Sequence, residues 1–125
     1  MTEGIDYLDL QDLIEIGKSL IPGFQIRDEG LLESAARRPR TTIYGEDAYP
    51  SFEEKVASLI HSLARNHALV DGNKRIAWSA GRIFCLMNKR DLFMTVNSAE
   101  KMIIKIAKGD IDVPAITIIL RKAIR

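Results

Sequence analysis

The chain has 125 residues, with 18 Lys and Arg against 17 Asp and Glu, for a formal net charge of +1 at pH 7. With 46% hydrophobic and 28% charged residues, it has the composition of a single globular domain, residues 1–125, and not that of a disordered tail. The near-zero charge gives no case for nucleic-acid binding. No apolar run is long enough to span a membrane, and the acidic start is unlike a signal peptide. The lone Cys85 excludes an internal disulfide and favours a cytoplasmic setting.

In chain order, Asp9 is placed to cap a first helix, with Asp12 three positions on and Leu10, Leu13, Ile14 and Gly17 at helical spacing. Pro22-Gly23 breaks it. Asp28 can cap a second, short helix with Leu31, Leu32, Ala35 and Ala36 on one side, ending before Pro39. Residues 40–50 lack a helical period. Thr41, Thr42, Ile43 and Tyr44 are strand formers and Gly45-Glu46-Asp47 can turn, so an exposed hairpin-like flap is expected, with a plain long connection as the alternative.

Ser51-Phe52-Glu53-Glu54 fits a capping box. Phe52, Val56, Leu59, Ile60, Leu63 and Ala64 then form one apolar stripe, the expected central helix. His67 extends that row from Leu63 and is expected at the helix end, near the core. Val70-Asp71-Gly72-Asn73 is a turn by composition. Ile76, Ala77, Ala80, Ile83, Phe84 and Met87 mark the next helix, stopping near Asn88. Residues 92–96 suit a short extended piece. Ser98 is read as the cap of a helix with Ala99, Met102, Ile103, Ile106 and Ala107 inward, stopped by Gly109. Asp112 and Pro114 open a last helix with Ile116, Ile119, Leu120 and Ala123 inward. The fold class is all-α: a compact helical bundle with a central helix and a short flap.

Residues 67–75 carry the chemistry. A histidine at a helix end can serve as a base near neutral pH. Asp71 is a hard oxygen ligand suited to Mg2+. Gly72 lets the backbone turn sharply. The amides from Asn73 onward are the unpaired donors of the next helix, and with its dipole they make an anion site beside the cations of Lys74 and Arg75. Phosphoryl transfer needs this set. Each part has a plainer reading: a core histidine, a capped turn, a solvated cation pair. Their coincidence at one helix–turn–helix junction favours the functional one.

The segment His67-Ala68-Leu69-Val70-Asp71-Gly72-Asn73-Lys74-Arg75 resembles the signature of the Fic/Doc family, H-x-F-x-D-x-N-K-R in its Doc (death-on-curing) branch. Ile26-Arg27-Asp28, Leu31-Leu32-Glu33-Ser34-Ala35, Ala48-Tyr49-Pro50, Glu54-Lys55 and Leu63-Ala64-Arg65-Asn66 extend the resemblance upstream. Leu69 stands where the family has phenylalanine, and Ala68 where proline often follows the histidine. The resemblance implies an all-helical fold with a core helix, the signature loop and a flap that docks the target, here Thr42, Ile43 and Tyr44. It implies His67 as catalytic base, Asp71 as the Mg2+-binding acid, and Gly72, Asn73, Lys74 and Arg75 as the phosphate-binding part of the loop.

Family members that transfer AMP usually carry glycine where Lys74 stands. The Doc branch has lysine and is similar to a protein kinase, passing the terminal phosphate of ATP to a threonine of elongation factor Tu and stopping translation. By that resemblance the chain is a toxin held off by a cognate antitoxin, whose Phd-like C-terminal segment lies in a groove of exposed apolar surface beside the flap. AMP transfer to protein hydroxyls, and a catalytically idle binding or regulatory member, are the alternatives.

Among other residues, Arg65 is a candidate phosphate contact or a partner of the helix dipole. Arg82 is read as solvated and His61 as structural. Arg37, Arg38 and Arg40 are read as a solvated cluster or a docking patch for an acidic target. Tyr49 joins Tyr44 as a candidate contact or core cover, and Trp78, Phe84 and Cys85 are assigned to packing.

Overall fold

The computed structural model describes residues 4–125; residues 1–3, the start of the acidic N-terminal stretch, lie outside the described residues. Among the described residues the architecture is six α-helices, one 3₁₀ turn and a two-stranded hairpin. Helix α1 (Leu10–Leu20) opens with a reciprocal capping box: the Asp12 N–H donates to Asp9 Oδ1 at 2.8 Å and the Asp9 N–H to Asp12 Oδ2 at 3.0 Å. Helix α2 (Glu29–Arg37) is capped by Asp28, which accepts from the Leu31 N–H. A 3₁₀ turn, Arg38–Arg40, accommodates Pro39 at the start of the next segment.

The expected flap is present as a hairpin. Strands β1 (Thr42–Ile43) and β2 (Glu46–Asp47) pair antiparallel, Thr42 opposite Asp47 and Ile43 opposite Glu46. Its turn is Tyr44-Gly45, one residue before the expected Gly45-Glu46-Asp47. Both turn residues have positive φ (52° and 81°), the two-residue geometry whose twist matches paired strands.

Helix α3 (Phe52–Arg65), opened by the Ser51–Glu54 capping box, is the central element; it touches α2, the 3₁₀ turn, α4 (Asn73–Met87), α5 (Val96–Lys108) and α6 (Val113–Ala123). Two expectations need correction. Ile83 is exposed, because α4 meets α3 along Ala77, Ala80, Gly81 and Phe84. Gly81 lies so close to Ile60 that a Cβ would come within 2.6 Å of its Cδ1, and this places position 83 outside the contact. The cap of α5 is Thr95, not Ser98: Thr95 is extended and its Oγ1 accepts from the Ser98 N–H at 3.1 Å, so Val96 is already helical. Residues 91–93 run antiparallel to the C-terminus, with Phe93 N–H to Ala123 O at 2.9 Å and Arg125 N–H to Asp91 O at 2.9 Å. Cys85 is fully buried, and burial pushes its thiol up to about 12, consistent with packing.

The flap is tied down at its base by cations that carry no helical signal in the sequence. Lys55 is fully buried; its Nζ donates to Asp47 Oδ2 at 3.2 Å and to the Tyr49 carbonyl. Arg38 is half-buried and not a solvated member of a cluster. Its Nε donates to Tyr49 Oη at 2.8 Å, and its Nη1 reaches Ser62 Oγ at 3.0 Å and His61 Nδ1 at 2.8 Å. Arg40 lies over the Tyr7 ring, and Arg37 is exposed.

Two outcomes are expected. Lys55→Met removes the buried member of an ion pair and should lower stability by about 3 kcal/mol in urea unfolding; limited chymotrypsin digestion should then cut the loosened flap after Tyr44. Burial first, and then the Arg38 and Arg65 guanidiniums, hold His61 below its usual 6.5, against an opposing pull from Asp112. The folded state therefore prefers the neutral ring, and the unfolded chain binds this proton more readily. Stability should be full above about pH 6.5 and fall as pH drops through the folded His61 pKa. Urea midpoints across that range should show the loss, and His61→Gln should flatten it.

Candidate active site: the loop between α3 and α4

Helix α3 ends at Arg65 with Asn66 as C-cap, so His67 does not continue the apolar stripe. It leaves the helix with φ at 52°, a left-handed backbone that side chains disfavour, and it is exposed. The core reading of His67 is thereby replaced by a surface one. The imidazole has no hydrogen-bond partner among the described residues.

The residues after His67 are fixed from beneath. Ala68 and Leu69 are buried, and Leu69 forms an isolated bridge with Ile26. The Ala68 carbonyl accepts from both the Arg27 N–H (2.8 Å) and the Asp28 N–H (2.9 Å), and the Val70 N–H donates to the Gln25 carbonyl (3.0 Å). Leucine at position 69 thus anchors the loop where the family has phenylalanine, and Ala68 is held by backbone bonds where a proline ring would otherwise constrain it. The Asn73 side chain closes the loop on itself. Its Oδ1 accepts from the Leu69 N–H and its Nδ2 donates to the Leu69 carbonyl, both at 3.0 Å. This carboxamide is committed inward; outward, Asn73 offers its backbone amide.

Gly72, the N-cap of α4, has φ at 87°, and a Cβ there would come 2.6 Å from Ile21 Cδ1. Sequence and packing thus both demand glycine. Every other α-helix among the described residues has a side-chain cap, namely Asp9, Asp28, Ser51, Thr95 and Asp112; α4 has none and no acid in its first turn. Its first-turn amides and dipole are left for an external anion. Lys74 and Arg75 stand exposed in that same turn, and neither is in an ion pair among the described residues.

Asp71 is exposed. Its Oδ1 accepts from the Gly72 N–H at 2.9 Å, and its second oxygen has no hydrogen bond among the described residues. No group of three or more His, Cys, Asp or Glu side chains assembles a metal cage among the described residues. One carboxylate fits a Mg2+ ion whose remaining ligands are phosphate oxygens and water.

Arg65, read as a candidate phosphate contact or a partner of the helix dipole, is exposed and reaches α5. Its Nη1 donates to the Ala107 carbonyl at 3.2 Å, and its guanidinium lies over Gly109, where α5 ends. Arg82 pairs with Asp91 (3.2 Å), and this bond is the main cause holding the Asp91 carboxyl below its usual range. A groove of about 720 Å³ runs from Lys74 and Arg75 past Trp78 to Phe93, Met94 and Ile103, so Trp78 lines a surface as well as packing. This groove, mainly apolar, lies between α4 and α5; a second concavity of mixed character lies against the flap base, at Arg37, Arg38 and Thr41. On the flap itself, Thr42, Ile43 and Tyr44 are exposed, whereas Tyr49 is held by Arg38. Arg27, noted in the sequence only as part of a resemblance, donates from Nε and Nη2 to the His67 carbonyl at 3.0 and 2.6 Å.

Residues 7–85 match the Fic/DOC family. The chain is 45% identical over 114 residues to Toxin Doc of Mycolicibacterium smegmatis, an overlap of 89% of this chain and 88% of the other. No helix among the described residues is long and apolar enough to cross a membrane.

Gly72→Ala tests the packing of the loop. It should cost about 1–2 kcal/mol for the left-handed backbone alone, with a steric part added by Ile21. Urea unfolding of the double variant with Ile21→Val, which removes Cδ1 but keeps Cγ1 at 2.9 Å from that Cβ, should recover only part of the steric cost and leave the torsional part.

Proposed function

The chain belongs to the Fic/DOC family, and from that premise we propose that it is the toxin of a toxin–antitoxin pair, a kinase-like enzyme acting on a translation factor. It moves the terminal phosphate of ATP to a serine or threonine hydroxyl of elongation factor Tu and so arrests translation. The observation that carries this reading is the pairing of an exposed, unengaged His67 with the one α-helix N-terminus among the described residues that has no side-chain cap.

The chain's own groups divide the work. The first-turn amides of α4, with Lys74 and Arg75, bind and neutralise the phosphates. His67 takes the proton from the target hydroxyl as its oxygen attacks the γ-phosphorus, and ADP leaves with the electron pair of the broken P–O bond. Asp71 would hold Mg2+, which when bound supplies charge neutralisation on the phosphates. The exposed flap tip, Ile43 and Tyr44, presents the target. Lys74 supports phosphate over AMP transfer, since its side chain fills space that a second glycine would leave to a polyphosphate. A cognate antitoxin is the partner this reading requires. The α4–α5 groove, apolar with Lys74, Arg75 and Arg82 on its rim, suits an acidic amphipathic segment of it.

The test is the intact mass of purified elongation factor Tu after incubation with this protein, ATP and Mg2+. A gain of one phosphoryl group is expected, and His67→Ala should slow it by about 10²- to 10⁴-fold. A gain of AMP would replace the kinase reading with nucleotide transfer. An unmodified target, with growth arrest unchanged in the His67→Ala strain, would make the protein an idle binder.

A further inference from the structure

The left-handed backbone of His67 needs a restraint that α3 does not supply. The last helical amide bond at this end runs from the Asn66 N–H to Ser62 O, and the residue after His67 is already held by residues 25–28. Between those two fixed points lie two peptide planes, and the oxygen of the second, that of His67, is gripped by a single side chain. Arg27 places both Nε (3.0 Å) and Nη2 (2.6 Å) on the His67 carbonyl. Two donors of one rigid planar group on one oxygen fix the direction of that carbonyl, hence ψ of His67 and the course of its Cα–Cβ bond.

We infer that Arg27 is the positioning residue of His67, holding the imidazole-bearing backbone in its left-handed conformation for proton transfer; this rests on the transfer reading proposed for the loop. Arg27 is itself placed twice, by the Ile26–Leu69 bridge on one side and by Asp28, the cap of α2, on the other. It is exposed, and the backbone bonds from residues 25, 27 and 28 to residues 68 and 70 do not need its side chain. A merely structural clamp would be placed where it carries stability; this one bears on a single strained residue. Lysine, with one ammonium and no planar fork, would grip the same oxygen without fixing its direction.

The experiment compares Arg27→Met and Arg27→Lys with the unaltered chain. With ATP, Mg2+ and elongation factor Tu, kcat should fall about 10- to 100-fold in Arg27→Met, because small misplacement of a catalytic group is costly. KM for ATP should stay within about twofold, since the α4 amides are untouched. Arg27→Lys should recover part of kcat. Independently of any activity, ring-labelled histidine spectra should show the His67 signals, assigned by their loss in His67→Ala, exchange-broadened in Arg27→Met while those of His61 stay sharp. Unchanged His67 signals in Arg27→Met would overturn the proposal, as would a loss of kcat matched by a proportionate fall in the urea midpoint. If the unaltered chain transfers nothing to this target, the functional reading falls, and the ring signals alone then decide the role of Arg27.

Discussion

The junction between α3 and α4 depends on pairing between residues 25–28 and residues 67–70. Two successive carbonyls, of His67 and Ala68, each receive two donors from that neighbouring segment. A loop that leaves a buried helix must satisfy its backbone polar groups somewhere. This loop does so inward, against the stretch that precedes α2, with Leu69 as the apolar peg beneath it. The consequence is a change of direction without slack. α3 stops at Arg65, and α4 starts at Asn73 with its first amides uncapped. Gly72 against Ile21 sets how closely the turn can approach α1.

The distribution of cations follows the same division. Arg27, Arg38, Lys55, Arg65 and Arg82 all have partners within the fold, and Arg90 pairs with Glu53 at 3.1 Å. Lys74 and Arg75 are in no ion pair among the described residues and sit where they oppose the helix dipole. A net charge of +1 hides this arrangement, because the near-balance of the whole chain says nothing about which charges are already answered. The flap is anchored separately, by Lys55 and Arg38 at its base, so its exposed tip and the rigid loop are held by different elements.

Much of this is legible in the sequence because it is local. The caps at Asp9, Asp28, Ser51 and Asp112, the apolar stripe of α3 and the glycine stop at Gly109 are written within a few residues of where they act. The errors are those of extrapolation. His67 looks like the next rung of the α3 stripe, since periodicity carries no notice that the helix has ended. Ile83 fits a spacing, but Gly81 shifts the packed face. Ser98 is a good cap type, yet Thr95 has the extended backbone the cap needs. The partners of Lys55, Arg38 and Arg65 are illegible for a different reason. A charged residue reads as solvated until the fold brings a distant carbonyl or carboxylate to it, and Arg65 finds Ala107 across 42 positions. The nine-residue signature is recognisable by resemblance; that the side chain of its asparagine closes on Leu69 is not.

A strained, exposed histidine and an uncapped helix end are both local conflicts, and conflicts of this kind gather at functional sites when the surroundings enforce them. Here the enforcement is visible bond by bond. Asn73 could have capped a helix; its carboxamide is spent on Leu69. Asp71 could have capped α4, yet it accepts only from the amide of Gly72 next to it. With the Asn73 carboxamide turned inward and Asp71 bonded only to Gly72, no side chain among the described residues caps the first turn of α4. The loop therefore leaves, among the described residues, the first turn of α4 without a side-chain cap and the His67 imidazole without a hydrogen bond.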